Sequence, residues 1–138
     1  MLSYDAIVEK IEEGNKLHTA GMNKEALDIY FSLWDALEGE SENIYDIDEL
    51  RWLIRCIYNV YFSQHDYMSA RKWVEKVFNC NIPERATSEI INLGRVYFEL
   101  GMEKEAIEQF EKAYKKGKKR AFQGVDEKYL NFYLTHRK

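Results

Sequence analysis

Three segments of this chain repeat one another, and that self-similarity limits the possible folds more than any other feature. GNKLHTAGMNKEALDIY from Gly14, YNVYFSQHDYMSARKWV from Tyr58 and GRVYFELGMEKEAIEQF from Gly94 align on Ala26, Ala70 and Ala106. After Asn23 the apolar residues Ala26, Tyr30, Leu33, Trp34 and Leu37 recur at spacings of three and four, which predicts a helix with one buried face. Asn23 is expected to cap a helix over 24–37, and Gly101 to end the helix before it in a left-handed conformation.

The third segment carries Leu93 and Gly94, then Tyr97, Gly101, Ala106, Phe110 and Ala113. In this pattern it resembles a tetratricopeptide repeat. The first segment keeps Gly14, Gly21, Ala26 and Tyr30, with Leu17 and Leu33 as changes of size. The second keeps Tyr61 and Ala70 but has Tyr58 at the small position, His65 at the turn and Val74 at the large aromatic position. The alanines lie 44 and 36 residues apart. Against a unit of roughly 34 residues this places a longer insertion in the acidic stretch 38–49 and a shorter one near Pro83. The residue types have a mechanical reason: two antiparallel helices approach closely only where a small residue faces the ring that fills the gap.

A further helix is predicted over 126–136, capped by Asp126 and stapled by Val125 against Leu130. Its apolar residues suit the terminal helix that a repeat array needs over its last open face. The expectation is one all-α domain over 1–138 with seven helices. Repeats fall at about 7–40, 51–84 and 87–120, with a capping helix at about 126–136. The resemblance implies a right-handed superhelical array.

Composition sets the outer bounds. With 138 residues, one proline, seven glycines and 46% apolar residues, the chain can bury a core and is neither collagenous nor disordered. A net charge of −4 argues against generic coating of nucleic acid or anionic lipid. The N-terminal MLSYDAIVEKIEEG has acids where an export signal needs a basic start, and Trp52 to Phe62 is far short of the ~20 residues of a membrane span. Cys56 and Cys80 fall outside any CxxC pair and read as thiols of a cytoplasmic protein, with a disulfide between them unsupported.

The twenty aromatic residues are the surplus in this composition. By the resemblance, the first helix of each repeat lines a concave groove that takes a protein or peptide partner. Projection of the repeat places Val8, Ile11, Asn15 and His18 there, then Trp52, Arg55, Asn59 and Phe62, then Ser88, Ile91, Arg95 and Phe98. The partner-binding candidates are Asn15, His18, Trp52, Arg55, Asn59, Phe62, Arg95 and Phe98. Trp52, Arg55, Asn59 and Phe62 form a single stripe, and aromatic and arginine side chains are what interface hot spots are made of. The competing reading is that Tyr129, Phe132 and Tyr133 fold back and fill the groove.

The carboxylate clamp of chaperone-binding relatives is not expected. Asn15 matches it, but Ile11, Cys56, Ser88 and Asn92 supply no cation. The basic run 112–120 reads first as complement to a helix dipole, with nucleic-acid contact as the less favoured alternative. The acidic stretch 38–49 reads as a solvated connection. Catalysis is not expected: His18, His65 and His136 lack metal-ligand spacing, and HExxH, GxSxG and the phosphate-binding glycine loop are absent. No cofactor or metal is implied. Tyr114 and Lys118 form a YxxxK pair that means nothing without a dinucleotide fold.

RAFQGVDEKYLNFYL, from Arg120, also resembles the tails of small bacterial tetratricopeptide proteins associated with polymorphic toxins. That resemblance implies an immunity protein with a cognate toxin as partner. The alternatives are a general adaptor and a self-assembling scaffold.

Overall fold

The computed structural model describes residues 2–137, and among these the chain is all-helical, without strands. Its seven helices are α1 (Tyr4–Thr19), α2 (Asn23–Glu40), α3 (Leu50–Ser63), α4 (Tyr67–Lys76), α5 (Ser88–Glu99), α6 (Glu103–Gly117) and α7 (Glu127–His136). Helices α1 and α2, α3 and α4, and α5 and α6 form three hairpins, each packed against the next, and α7 lies on α6.

The three hairpin turns are the same turn. Met22 N–H donates to the Leu17 carbonyl and Gly21 N–H to His18; Asp66 donates to Tyr61 and His65 to Phe62; Met102 donates to Tyr97 and Gly101 to Phe98. This paired pattern is the Schellman motif, which requires a left-handed residue one position past the helix end. Gly21, His65 and Gly101 supply it with φ of 80°, 61° and 77°. The middle hairpin therefore makes the same turn with histidine where the other two have glycine.

The same motif corrects the expected cap at Asn23. The residue after the left-handed position becomes the N-cap, so Met22 and Met102 hold that place without a side-chain bond, and Asn23 is the first helical residue. In the middle hairpin that register falls on Asp66, whose carboxylate accepts from Ser69 N–H. Asp126 caps α7 as expected, accepting from Lys128 N–H, and Val125 and Leu130 lie half-buried on the same cluster.

Packing within the hairpins follows the small-against-ring rule. A Cβ on Gly14 would stand 2.3 Å from Tyr30 Cε1, and one on Gly94 2.5 Å from Phe110 Cε1, so each ring occupies the space a side chain would need. The middle hairpin inverts the pair. Tyr58 rises from α3, fully buried, and Val74 takes the reduced position on α4 in the same cluster. The Tyr58 hydroxyl continues across to donate to the Asn92 carbonyl at 3.2 Å, fixing α3 to α5.

The acidic stretch is not simply a solvated connection. Helix α2 runs on to Glu40, a 3-10 turn covers Ile44–Asp46, and Ile44 is buried. Tyr45 meets the edge of Trp34, whose ring lies 5.0 Å from Trp73, and Trp73 also stacks near Phe31. The insertion thus closes an aromatic cluster between α2 and α4. Among the described residues no helix is long and apolar enough to cross a membrane.

Candidate functional site

The first helices of the hairpins carry the projected groove residues, and the structure divides them into two groups. Toward the N-terminal end, α1 and α3 leave a hollow of about 460 Å³ lined by Glu12, Asn15, Lys16, Thr19 and Trp52. A second hollow of about 200 Å³ adjoins it, lined by Asp48, Arg51, Trp52 and Arg55. Trp52 is the wall common to both, half-buried with part of its surface against the core of the first hairpin. Arg55 and Asn59 are exposed, and neither side chain makes a hydrogen bond or ion pair within the described chain.

Asn15 is fixed from behind. Its Oδ1 accepts a hydrogen bond from the Tyr30 hydroxyl, the same residue whose ring rests on Gly14. Burial raises the Tyr30 hydroxyl well above the ordinary tyrosine value, so it stays a donor. Burial likewise pushes up the Cys56 thiol beneath it, against the smaller opposing effects of Arg55, Asn15 and Tyr30. His18 Nε2 lies 3.3 Å from Ser63 Oγ and links the ends of α1 and α3.

The remaining candidates are engaged within the molecule. Phe62 packs beside Tyr58 and Tyr67, with the Arg95 guanidinium 4.2 Å above its centroid. Arg95 lies between that ring and Tyr129, and donates to Asn92 Oδ1 at 3.1 Å. Phe98 is met edge-on by Tyr129 and Phe132 of α7, at 5.3 and 4.9 Å between centroids. Tyr129 and Tyr133 pin α7 through their hydroxyls to Glu99 and Glu111. Ile11 and Ile91, projected onto the same line, are core residues. The outer face of the α5–α6 hairpin is apolar, and α7 supplies rings that cover it.

Sequence reasoning missed Glu12, Lys16, Thr19, Asp48 and Arg51 as lining residues. Glu12 with Lys16, and Asn15 with Thr19, are four apart on α1 and could have been read as one face. Arg51 has a second role. Its guanidinium makes a two-pronged pair with Glu89, Nε to Oε2 at 2.7 Å and Nη2 to Oε1 at 3.0 Å, which bolts α3 to α5. Burial alone would raise the Glu89 carboxyl, but the Arg51 hydrogen bond and the other polar contacts win and hold it below the ordinary carboxylate range.

No group of three or more His, Cys, Asp or Glu among the described residues is arranged to hold a metal ion. Cys56 and Cys80 are free thiols, Cys56 buried. No protein-family model matches the chain, and no curated protein is detectably similar to it.

Proposed function

We propose that this chain is a tetratricopeptide-like module that binds a protein partner across the α1 and α3 face and performs no chemistry of its own. The observation that carries this reading is Trp52, a large ring shared by two adjoining open hollows, with the unpaired Arg55 lining the smaller one and the exposed Asn59 one turn further along α3. A ring held at its base and open at its edge gives up little entropy when covered, and arginine beside it adds planar donors. Glu12, Lys16 and Asp48 would set register through charge.

The partner is a protein or peptide, and the resemblance of the C-terminal tail favours a cognate toxin neutralised in the cytoplasm. Repetition of one turn geometry three times supports the repeat assignment, since His65 maintains it without glycine. The groove is shorter than the full array, because α7 occupies the end beside Phe98.

Affinity capture from the source cell, read by quantitative mass spectrometry, tests this. The expected result is one partner retained near 1:1 by the wild type and lost by Arg55→Glu/Asn59→Lys, whose substituted positions are exposed and leave the fold intact. Equal retention by that variant, with unchanged thermal unfolding, contradicts the reading.

A further inference from the structure

The basic run at the end of α6 forms a hollow of about 720 Å³ lined by Tyr114, Lys116, Gly117, Lys118, Lys119 and Arg120. We propose that this hollow binds a compact ligand carrying clustered phosphate groups. It lies on different elements from the Trp52 hollows and does not depend on the reading given for them.

Three observations converge on it. The first is uncompensated charge. Among the described residues no ion pair joins Lys115, Lys118, Lys119 or Arg120 to a carboxylate, and Lys116 donates only to the Glu84 backbone carbonyl, in a chain whose net charge is −4. Lys115 and Lys116 complement the negative end of the α6 dipole, but that effect fades within the last turn and leaves Lys119 and Arg120 unexplained. Like charges held together repel, and a multivalent anion relieves the repulsion.

The second is backbone strain at a lysine. Lys118 has φ 55° and ψ −144°, a combination that favours glycine and is costly for other residues. Gly117 stands next to it, so the strained conformation has not been passed to the residue that would bear it most easily. The Lys118 ammonium lies over Tyr114, 5.4 Å from the ring centroid.

The third is rigidity. The 3-10 turn Lys118–Phe122 is anchored by Phe122, buried against Phe110 and Tyr133, and Gly117 fits closely over Ala121. The cations are therefore presented by a fixed turn. The compact ligand is favoured over a nucleic-acid strand because the Tyr114 ring, the one aromatic lining the hollow, is already engaged by Lys118, Arg137 and Tyr133. The volume suits a small ligand.

Calorimetric titration with tripolyphosphate, orthophosphate and a single-stranded oligothymidylate tests the proposal. Tripolyphosphate should bind saturably at 1:1, at least about tenfold tighter than orthophosphate, and Lys119→Glu/Arg120→Glu should weaken it at least about tenfold. Lys72→Glu/Lys104→Glu, the same charge change on other surfaces, should leave it within about twofold. Lys118→Gly should weaken binding while raising the melting temperature, which separates a ligand role from a structural one. Absence of saturable tripolyphosphate binding, equal weakening by both double variants, or tighter binding of the oligothymidylate overturns the proposal.

Discussion

Gly14 and Gly94 carry no side chain because Tyr30 and Phe110 already occupy the place where one would start. Alanine would gain about 1 kcal/mol of helix propensity at either position, but overpacking costs about 1–3 kcal/mol, and contacts this short lie at the upper end. Gly14→Ala and Gly94→Ala should each lower stability by about 1–2 kcal/mol in urea unfolding. Gly39→Ala meets nothing within 4 Å and should raise it by up to about 1 kcal/mol. Glu89 acts through charge. Its lowered carboxyl gives stability that is complete above the ordinary glutamate value of about 4.3 and is lost as pH falls through the folded value. Glu89→Gln should therefore cost about 1–3 kcal/mol near neutrality, an estimate reduced because the Arg51 side chain is 32% exposed, and the difference from wild type should shrink in acid. Tyrosines give the opposite sign. Burial raises Tyr30, Tyr58 and Tyr129, so their contribution is complete below about pH 10 and declines above it, where the unfolded chain loses protons first. Urea midpoints should begin to fall above about pH 8.5, where the unfolded Cys56 and Cys80 thiols lose protons first, and fall more steeply beyond about pH 10.

Among the elements, the helices and their turns were legible in the sequence because their signals are local. Apolar spacing, Gly101 and Asp126 each act within a few residues of themselves. What was not legible depends on distant partners. Ile44 lies in an acidic stretch, and only its packing into the cluster built by distant residues of α1, α2 and α3 makes it a core residue. Ile44→Asp should accordingly destabilise by about 2–4 kcal/mol, a cost foreign to a solvated loop, and equilibrium unfolding measures it. Tyr58 and Val74 depart from the pattern of the other two segments, yet they exchange large and small within one buried cluster. Asn23 failed as a cap because the Schellman turn sets the N-cap one residue earlier. Helix α7 was foreseen as a cover, and removal of residues 126–138 should expose Phe98 and Phe122, giving a chain that binds a hydrophobic dye and associates with rising concentration.

For the whole molecule, the arrangement leaves two surfaces of different chemistry. The α1 and α3 face offers a ring with a mixed polar rim, and the end of α6 offers cations carried on an anchored turn. Only part of the projected stripe remains open, because sequence periodicity assigns residues to a helix face without saying what another helix places over it. Arg55 and Asn59 are exposed and Trp52 is half-buried at the edge of two hollows, whereas Phe62, Arg95 and Phe98 are held by neighbouring side chains. In the proposed function, partner binding runs through Trp52. Its most direct measurement is the affinity of the captured partner for wild type and for Trp52→Ala, each shown to be folded by thermal unfolding. A loss of about 2 kcal/mol or more, roughly thirtyfold, is predicted for an interface anchor. Affinity unchanged within about twofold in a folded Trp52→Ala protein would contradict the account.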